Sequence, residues 1–379
     1  RNEIVHLLDH TGYSMLNGTA RIEQLTPEVA RQGSPAIAIT DHGHVFGAFE
    51  FYKAMKAVGV KPIIGIEAYV APESRFDKRR VKWADGGEDD VSGGGAFTHM
   101  TILAENNEGL SNLYKLASLA SLEGFYYKPR MDRELLLNHS SGLIATTGCP
   151  AGEVQTRIRM GAYQEARSAA AELRDIFGAE NFFVEIMEHG LEIERRVRED
   201  LLRLAKDLGL PLLATNDLHY TFADDAKHHD ALLAVQSGST LNDPKRFKFE
   251  SHEYYLKDAA TMRTLFKGLE VACDNTLLIA QRCNVTLREN ENLLPKFPVP
   301  AGEDENSWLI KKARAGLEEK FSGGVSKEHQ ERLEFELGVM TKMGFAGYFL
   351  VVADLVAHAK SVGIRVGPGR GSAAGSLVS

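Results

Sequence analysis

Short apolar runs that end in polar residues recur along the first part of the chain. In residues 35–44, PAIAITDHGH, a β-branched run stops at Thr40-Asp41-His42, which is the pattern of a buried parallel strand that delivers side chains to an open rim. We predict seven such strands, most with a residue type that can bind metal at or near the end. The other six are IVH (4–6), KPIIGIEAYV with Glu67, FTHMTILA with His99, GLIATTGCP with Cys149, NFFVEIME with Glu188, and PLLATNDLHY with Asp217 and His219.

Segments of helical period separate these strands, at 26–32, 47–58, 109–121, 163–177 and 191–208. The alternation predicts right-handed βαβ units and a parallel sheet. An open doubly wound sheet would collect ligands at one switch point, whereas a closed barrel presents a whole rim of strand ends. Because candidate ligands follow nearly every strand, we predict an α/β fold with a distorted seven-stranded TIM-like barrel.

Beyond Tyr220 the alternation gives way to a mainly helical extension and then to a Pro/Gly/acidic stretch, LRENENLLPKFPVPAGED. We therefore predict one domain over 1–293, with its barrel core at about 1–220, a linker over 294–303 and a further segment over 304–379. That segment should contain helices at 307–321, 327–343 and 347–360, the last largely buried. The closing GIRVGPGRGSAAGSLVS predicts a short strand, a Gly-rich turn and the start of a helix.

Composition limits the classes of protein and partner. With 379 residues, 44% apolar and 25% charged, the chain can bury a sizeable core. The net charge of −8 means that contact with nucleic acid would depend on local basic groups or bound cations. Three cysteines without CxxC spacing indicate a cytoplasmic protein without disulfides. No apolar run approaches 18 residues, so we expect no membrane association, and the start at Arg1 looks like the trimmed end of a longer chain.

Imidazole, carboxylate and thiol groups collect at the predicted strand ends. Taken alone, each of these histidines or cysteines is explained equally well as a core histidine or an inert buried thiol as it is as a metal ligand. The pair Asp217 and His219 is more specific, because residues two apart on a strand point to the same side. More than four convergent ligands imply more than one metal ion, which suits phosphoester hydrolysis. The predicted metal-binding residues are His10, His42, Glu67, His99, Cys149, Asp217 and His219.

Two other stretches carry candidate contacts to nucleic acid. The loop over 71–96 holds a Lys/Arg cluster at 78–82 and is either a mobile flap that touches a phosphate backbone or a solvated insertion. In GFYYKPRM, the side chains of Tyr126, Tyr127, Lys128 and Arg130 suit stacking on bases and pairing with phosphates, or simply pack a loop.

These residues together carry a resemblance to a known family. The histidines of the first loop, TDHG, Glu67, His99, Cys149 and NDLHY, with YSMLNG, VGVKPIIGIEAYVAP and TGCPAGEVQTR, resemble the polymerase and histidinol phosphatase (PHP) domain of the bacterial replicative DNA polymerase III α subunits. The resemblance covers essentially the whole chain. It implies up to three divalent ions, Zn or Mn, and in some members a 3′→5′ proofreading exonuclease, for which Asp217 and His219 are the catalytic candidates. For the parent protein it implies primer-template DNA, dNTP, a sliding clamp and other replisome subunits as partners, with Mg expected for polymerisation.

The chain departs from the family pattern at two positions. Leu8 stands where the first His of His-x-His is expected, and leucine cannot ligate. Asn17 stands where Asp is usual, and a neutral amide binds a cation more weakly. The resemblance implies three metal positions: Glu67, His99 and Cys149; His10, Glu67 and Asp217; and His42 and His219 with only Asn17. Leu8 and Asn17 at expected ligand positions thus weaken the case for an active exonuclease. The alternatives are an inactive scaffold within the polymerase and a free-standing phosphoesterase that acts on small molecules.

The C-terminal turn is similar to the phosphate-binding turn that opens the polymerase palm. Its glycines let backbone N–H groups approach an anion, and an arginine can clamp a phosphate. A plain tight turn is the alternative. Under the resemblance, 304–379 is the start of the palm, and the carboxylates for polymerisation would lie beyond Ser379, so we expect no polymerisation by this chain. The predicted phosphate-binding residues are Gly369, Arg370, Gly371 and Ser372.

Overall fold

The computed structural model describes residues 2–82, 93–369 and 371–379. The chain divides into two compact units, Arg1–Leu287 and Arg288–Ser379. This division falls just ahead of the linker predicted over 294–303.

The first unit alternates strands and helices before ending in helices, in the part of the chain that the structure describes. Its strands are β1 (Ala36–Ile39), β2 (Lys61–Val70), β3 (Thr98–Ala104), β4 (Arg130–Met131), β5 (Leu143–Thr146), β6 (Phe182–Ile186) and β7 (Leu212–Ala214). Its helices are α1 (Ile22–Arg31), α2 (Ala48–Ala57), α3 (Asn107–Glu123), α4 (Arg133–Asn138), α5 (Glu153–Arg159), α6 (Tyr163–Phe177), α7 (Glu192–Leu208), α8 (Ala226–Gln236), α9 (Ala259–Leu265) and α10 (Glu270–Arg282).

The strands form one curled sheet in the order β1-β2-β3-β5-β6-β7, with β4 beside the end of β2. The predicted α/β class is confirmed and the sheet has seven strands, but β4 was not predicted and stands in place of the strand predicted at 4–6. The pairs β1–β2, β5–β6 and β6–β7 are parallel. The prediction of a wholly parallel sheet is wrong for β3, which runs antiparallel to both β2 and β5. The reason is the connection after β2: its described residues, 71–82 and 93–97, contain no crossover helix, so the chain returns antiparallel.

The N-terminal segment joins the two edges of this sheet. His6 bridges Ile37 of β1, while Asp9 bridges Leu218 beyond β7. The N–H of Leu218 donates to the Leu8 oxygen at 3.1 Å, and the N–H of His10 donates to the Leu218 oxygen at 2.8 Å. A strand was predicted at 4–6, but this segment makes only isolated bridges, because the chain bends at Leu8. The segment nevertheless closes the barrel.

Apolar side chains fill one end of the barrel and polar ones the other. Alternate strand residues point inward, since their neighbours pack against the surrounding helices. The inner apolar cluster contains Val5, Leu7, Ala36, Ala38, Ile63, Leu103, Ile144, Phe183 and Leu213, with Ile279 and Cys283 of α10 packed against it. Further along the same strands the buried residues become polar: Thr40, Glu67, Thr101, Thr146, Glu185 and Thr215. The carboxyl ends of the parallel strands therefore surround a polar rim.

The second unit consists of α11 (Glu305–Lys320), α12 (Lys327–Lys342), α13 (Ala346–Ser361) and a 3-10 turn at Ser372–Gly375. Their shared core contains Leu309, Leu317, Leu333, Leu337, Ala346 and Leu350. The prediction that α13 is largely buried is wrong, since Leu355 is 65% exposed and only the first turns of the helix enter this core. The strand predicted before the glycines does not form in the described residues, where 364–369 has no strand partner.

Among the described residues, no single helix is both long enough and apolar enough to cross a membrane. Taken together, Lys327–Lys342 and Ala346–Ser361 have the length and apolar composition of a membrane span, but the two helices are bent by 114° relative to each other.

A candidate metal centre at the barrel rim

The predicted ligands reach the rim from five strand ends and the closing segment. His42 follows β1, Cys149 follows β5, and Asp217 and His219 follow β7. Glu67 lies within β2, where the neighbouring Tyr69 pairs with His99. Because β3 is antiparallel, His99 near its beginning lies at the same end of the barrel as the ends of the parallel strands. The strand reversal thus does not remove His99 from the rim.

Glu67 lies at the middle of the cluster. Its Oε2 is 2.6 Å from Nε2 of His10 and 3.5 Å from Nδ1 of His42. Its Oε1 is 3.0 Å from Nδ1 of His99. One carboxylate therefore contacts three imidazoles that come from three different segments of the chain.

Asp217 provides a second carboxylate on the other side of His10. Its Oδ1 is 3.2 Å from Nε2 of His10. The ring of His10 lies between those of His42 and His219, with centroid distances of 4.1 and 4.3 Å. Nδ1 of His219 donates to the main-chain oxygen of Asp217 at 2.7 Å, which leaves Nε2 of His219 free to bind a ligand.

A relay of hydrogen bonds sets the tautomer of His10. The carboxylate of Asp41 accepts from the Ser14 hydroxyl at 2.8 Å, so that hydroxyl accepts in turn from Nδ1 of His10 at 2.9 Å. The N–H of Thr11 also donates to Asp41, at 2.6 Å. Nε2 of His10 therefore faces the two carboxylates, as a metal-binding histidine oriented by outer hydrogen bonds does.

The donor atoms fit divalent metal ions. Three groups have ligand atoms within 4.8 Å of one another: His10, His42 and His219; His42, Glu67 and His99; and His10, Glu67 and Asp217. Five of these atoms are buried without a well-aligned hydrogen-bond partner: Nε2 of His10, Nδ1 of His42, Oε2 of Glu67, Oδ1 of Asp217 and Nε2 of His219. Leaving buried polar atoms unpaired is costly, and a cation would satisfy several at once.

Electrostatics give the metal-free cluster one cationic imidazole. Burial opposes its charge, but Glu67 and Asp217 raise the pKa of His10 to about 10. Burial, reinforced by the charge on His10, lowers the pKa values of His42 and His219 well below the usual range. For Glu67, burial favours the neutral, protonated carboxyl and would raise its pKa. The neighbouring His42 and His10 outweigh this effect and hold the pKa of Glu67 well below normal.

Cys149 contacts the cluster from an apolar side. Its Sγ lies 3.4 Å from Nδ1 of His99, and burial raises the pKa of the thiol well above normal. Leu8 is fully buried in a small apolar group with Cys149, Ala151 and Met187. The leucine thus occupies space beside the thiol, which is where the His-x-His pattern would place an imidazole.

The weaker candidates have other contacts. Asn17 meets His229, whose Nε2 donates to the Asn17 main-chain oxygen at 2.7 Å. His6 donates from Nε2 to the Lys257 oxygen, away from the three ligand groups. In the second unit Gly369 and Gly371 are exposed, and Gly371 has φ +89°. Arg370 lies outside the described residues, so the phosphate-binding turn remains a prediction.

The aromatic and basic segment near the rim divides into a buried and an exposed part. Arg130 is fully buried and donates to the main-chain oxygens of Ala96, Arg75 and Asp77. For Arg130 the structure favours the second of the two interpretations, packing of a loop, because its guanidinium holds the described ends of the 71–96 loop. Residues 83–92 of that loop lie outside the described chain. Tyr127, in contrast, is 59% exposed.

One buried group is missing from the predicted site. His189 lies outside the predicted metal-binding residues, yet it bonds both Glu194 and the main chain of Asn216. Its position three residues beyond the apolar end of β6 was the available indication. The partner segment at 251–257 carries no comparable pattern.

The chain matches two known families in succession. The PHP domain family matches residues 6–189, and the family described as "Bacterial DNA polymerase III alpha NTPase domain" matches residues 307–379. The barrel and its histidine-rich rim thus define the first unit as a PHP domain.

Relatives of the whole chain extend this assignment. The DNA polymerase III subunit alpha of Mycobacterium tuberculosis (strain CDC 1551 / Oshkosh) is 53% identical over 100% of this chain, that of Mycobacterium leprae is 54% identical over 100%, and that of Thermus aquaticus is 39% identical over 99%. The chain belongs to the bacterial DNA polymerase III α-subunit family. It spans about a third of the length of these relatives, 32%, 32% and 35% respectively.

A solved two-domain protein of Bacteroides vulgatus, described as containing a predicted PHP-like metal-dependent phosphoesterase, is also similar. It is 14% identical, with 78% of this chain and 77% of that chain covered and a TM-score of 0.33.

Proposed function

We propose that the barrel is a metal-dependent exonuclease that removes nucleotides from the 3′ end of DNA within a replicative DNA polymerase α subunit. One observation carries the proposal: among the described residues there are three groups of three ligands, and each pair of groups shares one residue, either His10, His42 or Glu67, so their ions would lie close together. A cluster of neighbouring ions suits hydrolysis of a phosphodiester better than a single ion does.

The chemistry divides between the metal and the side chains. Bound divalent ions, Zn or Mn, supply Lewis acidity at the phosphate and lower the pKa of a coordinated water. Glu67 and Asp217 would hold the ions, and Asp217 would accept the proton of the attacking water through a carboxylate oxygen that binds no metal. Burial lowers the pKa of His219 well below its usual range, which makes it a weak base, so its Nε2 would bind an ion or orient the water beside Asp217.

Membership of the family extends the proposal to the longer protein. That protein would extend primer-template DNA with dNTP and Mg²⁺ in the cytoplasm, together with a sliding clamp and other replisome subunits. The turn at 369–372 would contribute to binding of the triphosphate. Each of these roles belongs to the parent protein, of whose length this chain is about a third.

An inactive scaffold is the second candidate, and one contact favours it. Leu8 packs against Cys149 and Met187, so an apolar side chain fills part of the position that the first His of the motif would occupy. The barrel would then serve as a structural part of a polymerase whose proofreading lies elsewhere. A free-standing phosphoesterase for small molecules is disfavoured by the polymerase-family match over 307–379.

The deciding experiment is degradation of 3′-labelled and 5′-labelled DNA by the purified chain with Mn²⁺ or Zn²⁺. Asp217→Asn, prepared identically, controls for a contaminating nuclease. Loss of 3′ nucleotides that disappears in Asp217→Asn is the expected result. Equal activity of the two proteins with both metals would leave the scaffold as the function.

A further inference from the structure

A buried imidazole beside the candidate metal centre belongs to none of the three ligand groups. Nε2 of His189 lies 2.7 Å from the main-chain oxygen of Asn216, and Nδ1 lies 2.6 Å from Oε2 of Glu194. A carbonyl and a carboxylate can only accept, so both ring nitrogens donate. The His189 side chain is 1% exposed and both ring nitrogens have partners, which fixes the orientation of the ring.

We propose that His189, held by Glu194, is a positioning residue that orients Asp217 for metal binding. The inference rests on the metal centre proposed above. It assigns no ligand role to His189, since both of its nitrogens already have partners.

The link from His189 to Asp217 is the planar peptide group. The carbonyl of Asn216 and the N–H of Asp217 belong to one rigid plane. A donor that fixes the Asn216 oxygen therefore fixes the φ angle of Asp217, which is +48°. This is the left-handed region, which residues other than glycine adopt only where the surrounding structure holds them.

A later segment of the chain holds the residues on both sides of this peptide. The side-chain amide of Asn216 donates to the Tyr255 oxygen at 2.8 Å, and the N–H of His219 donates to the Tyr254 oxygen at 2.8 Å. The ring of Tyr254 stacks on that of His189 with centroids 4.1 Å apart. His189 thus lies at the junction of the helical extension and the rim.

The orientation of this peptide decides two contacts in the cluster. Oδ1 of Asp217 lies 3.2 Å from Nε2 of His10, and its main-chain oxygen accepts from Nδ1 of His219. Rotation of the Asn216–Asp217 peptide would move the carboxylate away from His10 and release the tautomer of His219. Loss of the His189 donor is therefore expected to weaken metal binding without removing a ligand.

The test compares two amides of different length at one position. The amide nitrogen of glutamine lies near the place of imidazole Nε2, and that of asparagine near Nδ1. His189→Gln should keep the bond to the Asn216 oxygen, whereas His189→Asn should keep only the bond to Glu194. We expect Mn²⁺ affinity, measured by EPR titration of the whole chain, to fall about 10- to 100-fold in His189→Asn and by less than about threefold in His189→Gln.

A double variant guards against misfolding. His189→Phe with Glu194→Leu keeps an aromatic ring against Tyr254 and leaves no charge unpaired, a kind of replacement that is often neutral for stability. It should bind Mn²⁺ as weakly as His189→Asn does. Thr276→Val, which loses the hydrogen bond to the Val5 N–H near the apolar end of the barrel, is the control for a general loss of stability and should bind Mn²⁺ normally.

The outcomes separate this inference from the proposed exonuclease. Equal Mn²⁺ affinity in His189→Asn, in the double variant and in the unmodified chain would overturn the positioning role, as would an equal loss in Thr276→Val. A chain that binds Mn²⁺ and shows the expected series but degrades no DNA would remove the exonuclease and leave His189 its role. Failure of the unmodified chain to bind either Mn²⁺ or Zn²⁺ would overturn both.

Discussion

Nε2 of His10 lies 2.6 Å from Oε2 of Glu67, and both side chains are buried. The pKa of His10 is raised to about 10 against the effect of burial, by Glu67 and Asp217. In the metal-free protein, a proton on Nε2 therefore lies between two carboxylates, where a divalent ion would otherwise balance their charge. Binding of a metal at His10 must displace this proton.

We predict that Mn²⁺ affinity rises between about pH 6 and pH 9, by up to about tenfold per unit, because His10 keeps its proton over this range in the metal-free protein. Isothermal titration calorimetry in two buffers with different ionisation enthalpies should detect the released proton. His10→Gln is the control, since its amide has no proton to lose. Equal proton release in that variant would place the coupling elsewhere.

Replacing Leu8 by histidine should restore a metal ligand that the family pattern has at this position. Leu8→His places an imidazole beside Cys149, and Mn²⁺ or Zn²⁺ affinity should increase at least about tenfold. Without metal, the free energy of unfolding of the same variant should be lower by about 1–3 kcal/mol, because a polar imidazole replaces a buried apolar side chain. Thermal unfolding with and without metal would measure both effects.

Leu8→Met is the matched control, because methionine conserves the apolar volume and should change stability only slightly. Metal affinity that rises equally in both variants would mean that packing, and not the imidazole, limits the site. Asn17→Asp should add to the effect of Leu8→His if the third predicted metal position forms.

Glu185 should make the barrel less stable at higher pH. It accepts hydrogen bonds from Thr101, Thr146 and Thr215. Burial, only partly offset by these bonds, raises its pKa to about 7 from an ordinary value of 4.5. The folded protein thus holds this proton more tightly than the unfolded chain, so stability falls as the pH rises from about 4.5 to about 7.

We therefore predict that Glu185→Gln is more stable than the unmodified chain by about 1–3 kcal/mol at pH 8 and gains little at pH 4.5. Urea denaturation at the two pH values would measure the difference. Glu188→Gln is a suitable control, because Glu188 is partly exposed and pairs with Arg198. A gain that is the same at both pH values would exclude titration of Glu185 as its cause.

Exposed aromatic and basic side chains beside the rim predict contact with single-stranded DNA. Nζ of Lys128 lies 5.8 Å from the ring centroid of Tyr69, which is itself 5.8 Å from the ring of His42. Tyr127→Ala should weaken binding of a labelled oligothymidine by about 5- to 150-fold, since stacking of one base on an aromatic ring contributes about 1–3 kcal/mol. Fluorescence anisotropy in EDTA would measure this apart from metal chemistry.

Phe335→Ala changes a similarly exposed aromatic side chain on α12 and serves as the control. An equal reduction of binding in both variants would show that the oligonucleotide contacts exposed aromatics without preference for the rim.

Apolar runs in the sequence located six of the seven strands, because a buried strand needs such a run and the polar residue that ends it. They did not give the direction of β3, since alternation of inward and outward residues is the same in either direction. The closing segment was predicted as a strand, but nothing in IVH indicates the bend at Leu8 that limits its pairing.

The sequence predicts which residues form the candidate site, but not the contacts that hold those residues in place. His10, Glu67 and Asp217 follow apolar runs, and the structure brings them within contact distance. Their roles as ligands stay predictions. The support of Asp217 by residues near 254 depends on contacts between segments far apart in sequence, for which neither periodicity nor composition carries information.

The closing segment also implies an order of events during synthesis. It leaves the ribosome before its partners, since Leu218 and the residues around Tyr254 follow more than two hundred positions later. At about 5–20 residues per second, this interval is on the order of 10–50 seconds. During that time the nascent chain carries its first histidines without the carboxylate of Asp217. A metal ion that reached the nascent chain in this interval would meet His10 before the carboxylate that completes its ligand group.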